Sequence, residues 1–427
     1  MKKTKFSRWF IIAIIGMTGG MSFELPYLKY NYQVPMESLM GLSATQVGFI
    51  MSVYGTAAMI LYAPSGIIAD KFSHKKLITF SMLVTGGLAF VMALYPPYWM
   101  LLVIQVLLAI TTVLFMWSAT VKAVAILGTA DEQGSLLGFA EGMRGFGALV
   151  TAFLTLWMFQ MFGADSNPNS LKAVMITYGV FYIVFGILCW FVVPEETKQA
   201  RTSIPKAEKV TAKDIVTVLK KRTTWYCSLI IMGVYTIFAV LSYTTSYLID
   251  IFAMPVVMAT FIGMIRNQVF RTISGPVGAI VSAKTRLKSP TKIIFIGGIV
   301  TFAGLICLIV IPASKNIIFV MIGLVLLLAF FNYVSRGMYF ATIGEAGTPS
   351  KTMGTTIGVA SLIGFLPDVF IYPLIGSWQD TLEATQAYRN MWILGLVATG
   401  MALVFCMLLM RDIKKNKAVV MAAAETV

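Results

Sequence analysis

Charge is scarce in this chain. Asp, Glu, Lys and Arg make up 12% of its 427 residues, and only 18 of them are acidic. With 58% hydrophobic residues and a mean hydropathy of +0.83, a water-soluble fold is excluded, because too little polar surface exists to cover it. Histidine is nearly absent, with His74 alone, and the four cysteines show no C-x-x-C spacing. Cys189, Cys227, Cys307 and Cys406 all fall in apolar stretches, where a thiol behaves as a small hydrophobe. These shortages leave no metal or haem site and no cofactor. A Ser/His/Asp set and a phosphate loop are also missing, so an enzyme is not expected.

What the chain has is length in oil. Apolar stretches of about 20 residues, the span of a bilayer's hydrocarbon core, occupy 8–30, 44–69, 75–95, 98–127, 135–162, 171–192, 224–249, 257–281, 291–311, 317–343, 352–377 and 388–411. Segments between them alternate in charge. One set, which includes both termini, carries 23 basic residues, whereas the other carries only Lys315. Basic loops resist translocation, so both termini are expected in the cytoplasm of a multi-pass, bacterial-type inner membrane protein. The net charge of +15 then reflects topology and contact with anionic lipid headgroups, not nucleic acid. Met1-Lys2-Lys3 and the run after it imitate a signal peptide but lack a small-residue cleavage site, so they read as a retained first crossing.

The segment 194–223 separates a first block of six crossings, 1–193, from a second, 224–427. Thr211-Ala212-Lys213-Asp214 forms a helix-start signal, and Ile215, Val216, Val218 and Leu219 precede Lys220-Lys221-Arg222, which suits a short interfacial helix. Traces of duplication link the blocks. Residues 64–70 can be laid on 276–282, and Gly128, Gly138 and Gly142 fall on Gly344, Gly354 and Gly358.

Between crossings 2 and 3 stands Gly66-Ile67-Ile68-Ala69-Asp70-Lys71-Phe72-Ser73-His74-Lys75-Lys76. This resembles the loop signature of the major facilitator superfamily, with Ser73 in place of the usual glycine. Its second-half counterpart, Gly278 to Lys288, keeps Lys284, Arg286 and Lys288 but has Ser282 where an acid is expected. The resemblance covers essentially the whole chain. It implies an all-α membrane protein of twelve helices in two pseudo-symmetric six-helix bundles, working as a secondary transporter by alternating access. Gly66, Asp70, Lys71, Lys75, Lys76 and Arg144 are its gating set, with Gly66 admitting a close helix and Asp70 latching the cytoplasmic side.

Charges within crossings are costly and face a cavity or a partner. Glu24, Lys29, Lys122, Glu141, Arg144, Arg266, Arg271, Arg336 and Asp368 qualify, six basic against three acidic, which favours an anionic small-molecule substrate. Arg266 near the midplane, with Lys122 and Arg336, is expected to bind it, aided by Tyr54, Trp117 and Tyr333. Trp117 and Tyr333 correspond under the internal shift. Glu24, beside Pro26, and Asp368, beside Pro367, are expected to carry protons, with Glu141 either a third or a structural partner of Arg144 at i+3. Lys29 sits close enough to a membrane face to snorkel.

Leu25-Pro26-Tyr27-Leu28-Lys29-Tyr30, and the run Asp131-Glu132-Gln133-Gly134 leading to Glu141-Gly142-Met143-Arg144-Gly145, make the chain resemble the sugar-phosphate and organic-anion permeases within the superfamily. Crossing 7 holds no basic residue, a departure from organophosphate antiporters, and crossing 5 lacks the proline of drug antiporters. The expectation is proton-coupled symport of an organic anion or sugar derivative by a monomer. The alternatives are a drug or metabolite exporter, or a transporter-like receptor.

Overall fold

The computed structural model describes residues 6–128, 132–195, 212–273, 289–312 and 314–425, and among these no strand occurs. Thr211, Asp131 and the second-half loop signature from Gly278 to Lys288 lie outside the described residues. Among the described residues, ten helices are long and apolar enough to cross a membrane: Ala44–Tyr62, His74–Ala93, Tyr98–Ala125, Ser135–Met161, Pro168–Val192, Arg222–Phe252, Pro290–Val310, Ile318–Met338, Thr352–Thr381 and Ala384–Lys415. They match ten of the twelve expected crossings. The other two are interrupted. The first is helix Arg8–Met21, then turns over 22–28, then helix Lys29–Met40. The eighth is helix Val256–Met264 running into a π-helical segment, Ile265–Val269, and is described only to residue 273.

Local chemistry explains the boundaries. Ser43 starts helix Ala44–Lys71 with a reciprocal capping box, its hydroxyl accepting from Gln46 N–H while Gln46 accepts from Ser43 N–H. Asn167 and Ser289 cap helices whose first residues, Pro168 and Pro290, have no N–H to satisfy. Pro26 lies in the break of crossing 1, and Pro367 restarts crossing 11 after helix Ser350–Gly364 ends. A second π-helical stretch, Ile110–Trp117, interrupts crossing 4. Such wide coils are rare and recur at functional sites.

The chain divides into two compact units. One comprises Met1–Lys206, Ala253–Thr272 and Tyr372–Asp380; the other comprises Ala207–Phe252, Ile273–Ile371 and Thr381–Val427. In the first, crossings 1 and 5 meet at glycines. A Cβ on Gly16 would stand 2.5 Å from the Ala140 carbonyl, one on Gly147 would stand 2.7 Å from that of Met17, and one on Gly20 would collide with that of Arg144. With no hydrophobic drive between helices in lipid, backbone approach of this kind supplies the packing energy. In the second, Cys227, Ile230, Ile231 and Val234 of crossing 7 pack with Ile293, Ile294, Val334, Met338 and Leu409. Asn332 Nδ2 donates to the Val234 carbonyl at 2.9 Å, fixing crossing 10 on crossing 7.

Candidate functional site

In the first unit the break of crossing 1 places Glu24 where it is 7% exposed. Gln268 Nε2, in the π-helical segment of crossing 8, donates to both carboxylate oxygens at 2.8 Å. Arg271 acts electrostatically on both Glu24 and Arg144. Arg144 is buried, lies 3.3 Å from Glu141 Oε2, and holds its guanidinium 4.5 Å from the centre of the Trp117 ring. The i, i+3 partnership of Glu141 and Arg144 is therefore formed, with Glu141 at the wetter end. Phe23 and Tyr62 pack edge-on against Trp117.

Tyr54 is fully buried. Its hydroxyl shares a 2.9 Å hydrogen bond with Thr112 in the π segment of crossing 4, and Tyr27 packs edge-on against its ring. Tyr27 in turn stacks on Tyr30, whose hydroxyl is 2.8 Å from that of Tyr372. Lys29, expected to snorkel to the membrane face, is instead 2% exposed, with Nζ 4.9 Å above the Tyr372 ring. It turns inward because the second helix of crossing 1 begins at Lys29 itself and continues to Met40, longer than the apolar pattern ends. Arg266 is 3% exposed in the facing segment.

The gating residues sit at one end of crossing 2. Lys122 Nζ donates to the Ala69 carbonyl at 2.9 Å and lies 3.8 Å from Asp70 Oδ1, so it closes the last turn of helix Ala44–Lys71. Lys122 thus stands with the expected latch residue rather than beside Tyr54 or Arg266. Nothing described lies within 4 Å of a Cβ built on Gly66, so this glycine admits no described helix. Lys71 and Lys76 are exposed, Lys75 stacks 5.0 Å over Trp190, and His74 is buried with Nε2 donating to the Pro194 carbonyl at 3.0 Å.

In the second unit Arg336 lies in an aromatic cage. Its guanidinium carbon is 3.7 Å from the Phe238 ring centre, 5.5 Å from that of Tyr333 and 5.6 Å from that of Tyr235. Tyr235 also donates its hydroxyl to Asp368 Oδ2 at 2.7 Å, linking the expected anion ligand to an expected proton carrier through one ring. Cation–π contact with these rings holds the guanidinium, and Tyr339 is hydrogen-bonded to it as well.

The geometry brings together Glu24 with Gln268, Arg144 with Glu141 and Trp117, and Arg336 with Tyr333 and with Tyr235, which bonds Asp368. Gln268, Tyr372 and Phe238 are the additions. Gln268 carries no charge and so escaped a search for charges in lipid. Its one signal was two polar residues, Asn267 and Gln268, beside Arg266 inside an apolar run.

Comparison with known proteins follows the same lines. A sequence model described as Major Facilitator Superfamily matches residues 8–367. The chain is 49% identical over 414 residues to an Escherichia coli K12 protein named inner membrane protein YqcE, covering 97% of each. It is 29% identical over 419 residues to inner membrane protein YihN of the same organism, covering 98% of this chain and 99% of that one. Among solved structures, a bacterial homolog of the human lysosomal transporter Spinster superposes with a TM-score of 0.75 at 15% identity, over 97% of this chain and 99% of that one.

Proposed function

Because this chain belongs to the Major Facilitator Superfamily, and is a membrane transporter rather than an enzyme, we propose that it carries a small organic anion together with protons. The carrier works by alternating access, the two sequence blocks 1–193 and 224–427 moving about the linker 194–223. The relatives named as inner membrane proteins support the inner membrane as its location, and the basic loops support cytoplasmic termini.

One observation carries the anionic substrate. Among the described residues of the first unit, the buried Asp, Glu, Lys and Arg side chains are Lys29, Arg144 and Arg266 against Glu24. Arg144 is paired with Glu141 at the wetter end, and the excess of basic over acidic groups among these side chains favours a negative ligand. Glu24 is suited to carry the proton. It sits at a helix break, its carboxylate is held from one side by a neutral amide, and Arg271 acts on it.

The test is uptake by purified protein in liposomes under an imposed proton gradient, screened with organic anions and neutral sugars. Anions are expected to accumulate and neutral sugars not to. Arg266→Ala and Arg336→Ala are expected to abolish uptake while the protein stays in the membrane. Normal transport by both variants removes the anion assignment.

A further inference from the structure

A side chain from crossing 6 stands inside the break of crossing 1. In an unbroken helix the Leu25 N–H would donate to the Met21 carbonyl, four residues back. Here it donates to the Tyr182 hydroxyl at 3.1 Å, and that hydroxyl donates onward to the Met21 carbonyl at 2.9 Å. One phenolic oxygen thus occupies the place where a backbone bond would close. Insertion of a side chain into the helical ladder is a physical cause of a kink. All three residues belong to the first unit.

Pro26 does not account for this opening. Its missing N–H would have faced the Ser22 carbonyl, one rung further along the chain. The proline therefore removes the rung from 26 to 22, while Tyr182 fills the rung from 25 to 21. Inside a membrane neither the Leu25 N–H nor the Met21 carbonyl can be left bare. Either the hydroxyl holds them apart or they meet each other. The turn has two satisfied states, and Tyr182 selects the open one.

The wedge is firmly seated. Tyr182 is fully buried in helix Pro168–Val192, and its ring stacks on that of Tyr178 at 6.0 Å. Seven residues on, and so on nearly the same face, Cys189 Sγ lies 3.4 Å from the Thr18 hydroxyl. Crossing 6 thus meets crossing 1 at two polar points, one at the break and one about a turn before it. Glu24 lies inside the opened rung. Its N–H donates to the Met21 carbonyl at 3.0 Å, and from there its carboxylate reaches Gln268 at 2.8 Å.

We propose that Tyr182 is a positioning residue for proton coupling: its hydroxyl holds the Met21–Leu25 rung open and thereby aims Glu24 at Gln268. The inference rests on the reading of Glu24 as proton carrier and adds the group that sets its direction. Without the hydroxyl, the Leu25 N–H closes onto Met21, and the turn that carries Glu24 rewinds away from its donor.

The experiment is infrared difference spectroscopy of the purified full-length protein in lipid, with no substrate added. The Glu24 carboxyl band is identified as the one that Glu24→Gln removes. Tyr182→Phe keeps the ring and loses the wedge, so it should shift this band. The shift should match that of Gln268→Ala in sign and size, and the double variant should shift it no further, because both changes break the same contact. An unmoved band in folded Tyr182→Phe overturns the proposal. Shifts that add in the double variant also overturn it, since Tyr182 would then act on Glu24 without Gln268. Proton-driven uptake undiminished in Glu24→Gln would remove the coupling role while leaving the band result standing, so the two readings fail separately. Should Tyr182→Phe fail to fold, a high-resolution cryo-EM map of the wild type decides. The hydroxyl lying between Leu25 N and Met21 O upholds the wedge, and a direct Leu25–Met21 bond overturns it.

Discussion

Asp380, in the final turn of crossing 11, accepts the backbone N–H of Ala44 at 2.9 Å, and with its other oxygen that of Thr45 at 2.8 Å. A side chain more than three hundred residues away thus completes the cap that Ser43 begins on helix Ala44–Lys71. All of this lies within the first unit, where Gly376 abuts the Ala44 backbone and Gly48 that of Tyr372. A carboxylate at a helix N-terminus meets both orphan donors and the positive end of the helix dipole.

Asp380→Ala should therefore release the two amides. Losing a cap costs about 1 kcal/mol, so hydrogen exchange at Ala44 and Thr45 should quicken about fivefold, with other helices unaffected. Asp380→Asn should lie between, because the amide keeps one acceptor and loses the charge. Unchanged exchange in Asp380→Ala removes the cap as a determinant of this seam.

Crossing 1 against crossing 5 offers a packing test. Gly20 leaves no room for a methyl against the Arg144 carbonyl, and Gly16 stands close to that of Ala140. Overpacking of this kind costs about 1–3 kcal/mol per site. Gly20→Ala should lower the melting temperature of the purified protein by several degrees. Gly66→Ala, where nothing described lies within 4 Å, should leave it unchanged. Equal effects would sink the assignment of Gly20 as the contact point.

Much of this was legible in the sequence because lipid imposes a simple rule on twenty-residue apolar runs. Ten of the expected crossings appear within a few residues of their ends, and the broken first and eleventh announce themselves through Pro26 and Pro367. The pairing of Glu141 with Arg144 followed from helix spacing. Less legible was anything that depends on which helices touch. Hydropathy placed Lys29 near a membrane face, yet crossing 1 continues as helix to Met40 and Lys29 is buried. Gly66 was read as a contact because glycine in a membrane helix usually is one, and the described structure gives it none. Gln268 was invisible because a neutral amide costs little on a hydropathy scale, although it holds both oxygens of Glu24.

Glu24 and Gln268 make a prediction about coupling. Glu24→Gln abolishes the group that exchanges a proton while preserving size and one hydrogen-bonding oxygen. Uptake driven by a proton gradient should fall at least about tenfold, whereas exchange of labelled for unlabelled substrate, which needs no net proton movement, should persist. Gln268→Ala should weaken both by leaving the carboxylate without its donor. Proton-driven uptake undiminished in Glu24→Gln would move the coupling role elsewhere, with Asp368 the next to test.

Tyr235 separates two functions of one side chain. Its hydroxyl donates to Asp368 at 2.7 Å, and its ring lies 5.6 Å from the Arg336 guanidinium carbon. Tyr235→Phe removes the first and keeps the second. If Asp368 serves the proton and Arg336 the substrate, Tyr235→Phe should shift the pH profile of uptake with little change in KM. Phe238→Ala, which strips the face 3.7 Å from Arg336, should raise KM several-fold and leave that profile in place. The reasoning is that a cation over an aromatic ring is worth about 0.5–2 kcal/mol, a factor felt in binding, whereas a lost hydroxyl donor acts on the carboxylate alone. Were both variants to raise KM without moving the pH profile, Asp368 would be a structural partner of Tyr235, and Glu24 would remain the proton carrier.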